Sequence, residues 1–257
     1  MVSYDYTGRV VLVTGGSRGI GAGIASAFLG AGAEVVVCAR KPPERMPREP
    51  EGLLRGGTGP FRQARYLAAD VRDPGDVDGL FGEIERVYGR LDLVVNNAGG
   101  SPGAPLAGTS PRLHAKIIEL NLTAPLLVSQ RAYPLLSASA GSIVMIGSVS
   151  GDRPSPGTSA YGAAKAGLHH LAGCLAAEWA PAVRVNTVVV GLAETENAAG
   201  HYGGSFDQVA ATVPAGRMAR PQDVAEACLW LGSPGFVTGA RVHVHGGGEI
   251  PAWRQLS

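Results

Sequence analysis

The sequence predicts a doubly wound α/β fold, in which a parallel sheet of about seven strands is flanked by helices in a single domain covering residues 1–257. Short β-branched runs alternate with helical stretches, the pattern of a parallel sheet covered on both faces. A length of 257 residues suits one large domain, and neither a linker nor an internal repeat divides it. Because 45% of the residues are apolar, we expect a substantial buried core.

The elements follow from apolar spacing and composition. The predicted strands are Val10–Val13, Glu34–Cys38, Arg65–Ala68, Leu91–Val95, Ser142–Ile146, Arg184–Val189 and Arg241–Val244. The predicted helices are Gly19–Leu29, Asp76–Tyr88, Arg112–Leu136, Ser159–Trp179 and Pro221–Leu231. Residues 41–60 contain five prolines and four glycines, so we expect a loop there, with at most one short turn near Glu51–Arg55.

Charge and cysteine content exclude several function classes. The formal net charge is +1 and no basic run stands out, so we expect no nucleic-acid partner. Cys38, Cys174 and Cys228 are far apart and lie in apolar segments, which favours small buried hydrophobes in a reducing cytoplasm. The first residues lack a signal-peptide core and no apolar run is long enough to span a bilayer. We therefore expect a cytoplasmic protein with no membrane partner.

A glycine-rich turn follows the first predicted strand, with the sequence TGGSRGIG at residues 14–21. A strand, a glycine turn and a helix N-terminus together form a site for a pyrophosphate, because backbone N–H groups face the ligand. Tight turns need glycine in any case, so the wider context favours nucleotide binding. The residues assigned to this cradle are Gly15, Ser17, Arg18, Gly19, Ile20 and Gly21.

The end of the second strand predicts which dinucleotide binds. A site that prefers NAD places a carboxylate there for the ribose 2′-hydroxyl, whereas this chain has Ala39 and then Arg40. Arg18 and Arg40 are suited to pair a 2′-phosphate, which favours NADP(H) and leaves NAD(H) possible. The alternative is that both are ordinary surface arginines.

Tyr161 and Lys165 are four residues apart in a predicted helix, which places them on one face. A neighbouring ammonium favours phenolate over phenol, so we expect the pKa of Tyr161 to be lowered from its usual value toward neutrality. Tyr161 is therefore a candidate proton donor and acceptor. Taken alone, such a pair is more often two exposed, solvated side chains, and the rest of the chain favours the catalytic interpretation.

Taken together, the motifs resemble the short-chain dehydrogenase/reductase family in its compact single-domain branch. They are Gly15-x3-Gly19-x-Gly21, the NNAG sequence at residues 96–99, Asn121, Ser148, Tyr161 and Lys165, and the resemblance extends from about Thr7 to Gly247. It implies a Rossmann-type sheet. The resemblance also implies that Tyr161 is the general acid and base, and that Lys165 lowers the pKa of Tyr161 and contacts the nicotinamide ribose. It implies further that Ser148 holds the substrate oxygen and that Asn121 holds a water.

The resemblance assigns further cofactor contacts. Asp70 and Val71 match the pair at the adenine, Asn97, Ala98 and Gly99 match the ribose side, and Thr195 matches the contact to the nicotinamide carboxamide. Tyr161 and Lys165 are expected to touch the cofactor as well.

Pro125 gives a local reason for the role of Asn121. A proline has no N–H for the carbonyl four residues earlier, so a bend is expected and the Asn121 carbonyl is expected to be free for a water. A kink required only by packing is the equal alternative.

Two positions depart from the family pattern. Val190-Gly191 stands where relatives often have Pro-Gly, which affects nicotinamide placement, and His245 replaces a usual aspartate near the C-terminal contact. The remaining histidines show no metal-ligand spacing, so no metal is expected: His114, His169, His170, His201 and His243.

The leading hypothesis is a carbonyl reductase or alcohol dehydrogenase, and the alternative is a catalytically silent NAD(P)-sensing regulator. Enoyl reduction is disfavoured, since it goes with a longer tyrosine-to-lysine gap in related proteins. A lid at residues 192–214 has no lysine or arginine and includes Tyr202 and Phe206, which favours a neutral, apolar ketone such as a 3-oxoacyl, steroid or polyketide-like group. By analogy, helices 112–136 and 159–179 form a homodimer or homotetramer contact.

Overall fold

The computed structural model describes residues 4–50, 62–196 and 206–248, with the side chain of Phe206 left out. It contains seven parallel strands in the order β3-β2-β1-β4-β5-β6-β7. These are β1 (Val10–Thr14), β2 (Glu34–Ala39), β3 (Arg65–Ala68), β4 (Leu93–Asn96), β5 (Ser142–Ser148), β6 (Arg184–Val190) and β7 (Arg241–Val244). The predicted fold class is confirmed.

Helices cover both faces of the sheet, and each face has its own apolar core. They are α1 (Gly19–Gly30), α2 (Pro74–Tyr88), α3 (Pro111–Ile118), α4 (Ala124–Ala138), α5 (Ser159–Trp179), α6 (Phe206–Ala211) and α7 (Pro221–Gly232). The strand interiors are buried on both sides, as a doubly covered parallel sheet requires. In the described part of the chain, no helix is long and apolar enough to cross a membrane.

Several predicted bounds are wrong for identifiable reasons. β4 begins at Leu93 rather than Leu91, because the Asp92 carboxylate accepts a hydrogen bond from the N–H of Val10 at 2.8 Å instead of continuing the apolar run. α2 begins two residues early at Pro74, because Asp73 caps it by accepting from the N–H of Asp76. α6 was not predicted.

The predicted helix Arg112–Leu136 is divided. α3 ends at Ile118, a π-helical turn occupies Glu119–Thr123, and α4 follows. The N–H of Ala124 bonds to the carbonyl of Glu119, five residues back, because Pro125 has no N–H with which to continue the regular pattern. The expected distortion is therefore present as a π turn, whereas a free Asn121 carbonyl stays a prediction.

The predictions for the cysteines and for residues 41–60 are confirmed only in part. Cys38 and Cys228 are buried as predicted, but Cys174 is exposed on α5, so the prediction for Cys174 is wrong. Residues 41–50 form no helix, in agreement with their proline content. The turn near Glu51–Arg55 and the lid residue Tyr202 lie outside the described residues.

Candidate active site

The candidate residues gather where the strand order reverses, between β1 and β4, at the carboxyl ends of the strands. In open α/β sheets this crevice is the usual ligand site. The turn after β1, the loop after β4 and the end of β5 all reach it. The site is therefore built by backbone segments whose positions the sheet fixes.

The turn after β1 has the shape of a phosphate cradle. Gly15 has φ +63°, and a Cβ there would lie 2.9 Å from the Cα of Ala98. A Cβ on Gly21 would overlap the Asn97 side-chain nitrogen and the Gly15 carbonyl. Only glycine therefore allows the turn and the loop after β4 to approach this closely.

The N-terminus of α1 suits a negatively charged group. Arg18 occupies the N-cap position without a side-chain capping bond among the described residues, and the first turn consists of Gly19, Ile20, Gly21 and Ala22. First-turn N–H groups without side-chain acceptors attract phosphate oxygens. Ser17 lies partly exposed in the turn, and Ile20 packs against the core. These residues fit a dinucleotide pyrophosphate.

Thr14 joins the cradle to the loop after β4, and sequence reasoning missed it. Its Oγ1 accepts hydrogen bonds from the N–H groups of Asn97 and Ala98, each at 3.0 Å. The Asn97 side-chain amide donates to the carbonyls of Thr14 at 2.9 Å and Gly15 at 3.1 Å. A threonine ending a strand beside a glycine turn carries no distinctive sequence signal, although it fixes this part of the site.

The adenosine side brings together Arg40, Asp70, Val71 and Arg72. Arg40 is exposed just beyond β2, Val71 is buried, and both the guanidinium and the N–H of Arg72 bond to the Asp70 carboxylate. The hydrogen bonds from Arg72 lower the pKa of Asp70, burial acts in the opposite direction, and the positive charge of Arg40 lowers it further. Arg40 therefore lies within electrostatic reach of Asp70, and Arg72 adds a cation that the sequence did not single out.

Thr195 lies over the start of α1. Its Cγ2 lies 3.6 Å from the point where a Cβ on Gly19 would stand. The segment is held in place because the N–H of Glu194 donates to the carbonyl of Ala219 at 2.8 Å. The structure thus brings Thr195 to the cradle although it is far away in sequence.

Lys165 and Asn121 converge beneath the loop after β4. Lys165 is 4% exposed, and its Nζ donates to the Ile146 carbonyl at 2.8 Å. A Cβ on Gly99 would lie 2.7 Å from Asn121 Oδ1 and 3.3 Å from Lys165 Nζ. Asn121 is fully buried, and its side chain exchanges hydrogen bonds with the backbone of Gly100, each at 2.9 Å.

Tyr161 lies one turn before Lys165 on α5. The Lys165 ammonium is 5.6 Å from the centroid of the Tyr161 ring, so the two side chains share a face as predicted. Burial lowers the pKa of Lys165 to about 8. Because Lys165 is buried, the alternative of an exposed, solvated pair is wrong.

Ser148 ends β5 and caps the 3-10 turn Val149–Gly151. Its Oγ accepts from the N–H of Ser150 at 3.2 Å. In the strand register Ser148 pairs with Val190, and Val190 pairs with Val244. The hydroxyl oxygen of Ser148 is therefore held at the sheet edge that faces the crevice.

Comparison with known proteins identifies the family of this chain. The family model described as Enoyl-(Acyl carrier protein) reductase matches residues 15–249. L-fucose dehydrogenase of Oryctolagus cuniculus is 36% identical, covering 95% of this chain and 86% of its own length. The 3-oxoacyl-[acyl-carrier-protein] reductase FabG of Salmonella typhimurium is 33% identical over 95% of this chain and 98% of its own. The chain belongs to the short-chain dehydrogenase/reductase family.

A solved structure has the same fold as this chain. The Pseudomonas aeruginosa RhlG/NADP active-site complex superposes with a TM-score of 0.83 and 32% identity, covering 96% of this chain and 99% of that one. The chain is accordingly an NAD(P)-dependent oxidoreductase that acts on small molecules. Of the two function classes left open by the sequence, the relatives favour the enzyme.

The two departures from the short-chain dehydrogenase/reductase pattern have structural explanations. Val190 is buried and extends β6, and the next N–H, that of Gly191, donates to the Val244 carbonyl at 3.0 Å. His245 packs its Cβ against Gly191, and its Nδ1 accepts from the N–H of Gly247 at 3.2 Å. Both residues therefore serve the end of the sheet. The described residues contain no cluster of His, Cys, Asp and Glu side chains suited to a metal.

Proposed function

We propose that this enzyme interconverts a ketone and a secondary alcohol with NADP(H), and that Tyr161 exchanges the proton. When bound, the dinucleotide would supply the hydride for the carbonyl carbon or accept it from the alcohol carbon. Reduction then needs one proton on the carbonyl oxygen, which the Tyr161 hydroxyl donates. Oxidation returns that proton to Tyr161.

The observation that carries this proposal is the burial of Lys165 beside Tyr161. A buried amine hydrogen-bonded to a strand carbonyl has a fixed position, so its positive charge can stabilise the phenolate that forms when Tyr161 gives up its proton. The Ser148 hydroxyl, at the edge of the crevice, donates a hydrogen bond to the substrate oxygen. Asn121, fixed by its bonds to Gly100, supports a water that connects Lys165 to solvent.

The preference for NADP(H) is supported by charge on the adenosine side. β2 ends at Ala39 and is followed by Arg40, so the position used to select NAD has no carboxylate. Arg18 and Arg40 are both exposed there and suit a 2′-phosphate. The NADP named in the RhlG complex is in line with this choice.

The substrate is a neutral, apolar ketone of the 3-oxoacyl, steroid or polyketide-like class. The lid at residues 192–214 carries no lysine or arginine to bind an anionic group. A relative named granaticin polyketide synthase putative ketoacyl reductase 2, from Streptomyces violaceoruber, is 35% identical and fits this class. We place the enzyme in the cytoplasm as a homodimer or homotetramer, and the half-exposed Ile118 and Leu126 on α3 and α4 support association through these helices.

A substrate panel followed at the NADPH absorbance band tests the proposal. It includes a 3-oxoacyl thioester, a cyclic ketone, an aldohexose and a 2-enoyl thioester, because the matched family model is described by enoyl reduction. We expect turnover of ketones, and we expect Tyr161→Phe to lower kcat by roughly 10²- to 10⁴-fold while the variant still binds NADPH. Turnover of the enoyl thioester alone, or full activity of the Tyr161→Phe variant, would contradict the proposal.

A further inference from the structure

Three polar side chains, those of Asp152, His169 and His243, are connected to one another and to the backbone N–H of Ser148. The buried ring of His169, on α5, has its Nε2 3.4 Å from the backbone nitrogen of Ser148 and its Nδ1 3.1 Å from Oδ1 of Asp152. Oδ2 of Asp152 lies 2.9 Å from Nε2 of His243 on β7. The sequence separated these residues too widely for any motif to connect them.

The donors and acceptors fix the proton on the ring. A backbone N–H can only donate, so Nε2 of His169 must be the acceptor for Ser148, and the ring proton is then on Nδ1. Nδ1–H donates to Asp152, whose second oxygen accepts from His243. This arrangement requires a neutral His169.

Protonating His169 would break the link to Ser148. An imidazolium carries N–H on both nitrogens, so Nε2–H would face the N–H of Ser148. Burial lowers the pKa of His169, Asp152 raises it, and the positive charges of Arg241 on β7 and Lys165 on α5 lower it. His243 is connected to the His169 ring through Asp152. On β5, the residues next to the ring are Gly147 and Ser148, which carry no charge.

We propose that His169 is a positioning residue that holds the backbone of Ser148 at the active site, and that Asp152 and His243 hold its ring. The inference rests on the proposed role of Ser148. The neutral His169 ring fixes the position of the Ser148 backbone N–H. The orientation of the Ser148 hydroxyl depends on that backbone position. When His169 takes up a second proton, Ser148 loses this support and turnover decreases.

Two variants of similar size separate hydrogen bonding from shape. His169→Gln keeps an acceptor at the position of Nε2 but does not titrate, whereas His169→Leu has no acceptor. We expect His169→Leu to lower kcat roughly tenfold with little change in KM for NADPH. We expect His169→Gln to retain most of kcat and to lack the decrease that the wild type shows as pH falls below the usual histidine range. His170→Gln, at the exposed neighbouring histidine, is the control and should match the wild type.

A second measurement does not depend on turnover. In protein labelled with ¹⁵N-serine, the Ser148 amide resonance should shift with pH along the titration of His169, and this shift should be absent in His169→Gln. If the wild type reduces no substrate in the panel, the proposed function fails while this titration still decides the inference. An amide resonance that does not follow His169, or a His169→Leu variant with wild-type kcat and pH profile, would overturn it. Equal losses in both variants would also overturn it, because shape alone would then explain them.

Discussion

The Nζ of Lys165 donates to the carbonyl oxygen of Ile146 at 2.8 Å, two residues before Ser148 on β5. This bond fixes a positive charge inside the protein, where water does not stabilise it. The result is a group that serves the proposed chemistry and lowers the stability of the fold.

Lys165→Met should therefore stabilise the enzyme without cofactor. The pKa of Lys165 is lowered from 10.5 to about 8, so between these pH values the unfolded chain binds the proton more tightly. Stability due to this group accordingly rises with pH across that window and is lowest below it. We expect Lys165→Met to raise the free energy of unfolding by about 2–3 kcal/mol at pH 7, allowing for the lost hydrogen bond.

Urea denaturation at pH 7, 8, 9 and 10 measures this difference. The advantage of the variant should shrink as the pH approaches 10.5, and its turnover should be lost. Lys116→Met, at an exposed lysine on α3, is the control and should change stability by less than about 0.5 kcal/mol. A variant no more stable than the wild type at pH 7 would refute this account.

Thr14→Val should destabilise the cradle, whereas Thr14→Ser should not. Valine keeps the shape but leaves the half-buried N–H of Ala98 without the Thr14 acceptor, whereas the N–H of Asn97 keeps its bond to the Val95 carbonyl at 3.0 Å. We expect the free energy of unfolding to fall by about 1–3 kcal/mol and NADPH binding to weaken, because one donor is left without an acceptor. Serine keeps the hydroxyl and loses only a methyl group. Denaturation and NADPH fluorescence titration measure both effects, and equal losses in the two variants would argue against the hydrogen bonds.

Arg40→Asp should reverse the cofactor preference. The change removes a cation proposed for the 2′-phosphate and places a carboxylate near the ribose, and one such charged contact is worth about 1.5–3 kcal/mol. We expect the ratio of kcat/KM with NADPH to that with NADH to fall roughly 10- to 100-fold. Lys41→Asp makes an equal charge change at the next exposed residue and should leave the ratio close to that of the wild type. An unchanged ratio for Arg40→Asp would exclude its role.

Pro125→Ala tests the π turn that precedes α4. Alanine supplies an N–H that can bond to the Asn121 carbonyl, which would compete with the proposed water. We expect a lower kcat and an altered solvent isotope effect. Pro134→Ala, at the other proline inside α4, is the control. If both variants keep the wild-type rate and isotope effect, the turn serves packing only.

The sequence predicted the elements that local pattern controls. Short apolar runs, most of them rich in β-branched residues, located the strands. Tyr161 and Lys165 were placed on one face because helical spacing is a local property. The start of β4 was missed because the Asp92 carboxylate bonds to β1, a contact between distant segments. Asp152, His169 and His243 were missed as a group for the same reason, since only the packing of α5 on β5 and β6 and the pairing of β6 with β7 bring them together.

The ring of His169 also restricts what can occupy position 147. A Cβ there would overlap Nε2 of His169 and lie 2.9 Å from Cγ2 of Thr187, so even alanine does not fit beside both. A side chain at position 147 would then require smaller residues at positions 169 and 187. In a library randomised at all three, functional clones with a side chain at 147 should carry smaller residues at the other two, an epistasis that single substitutions would not reveal.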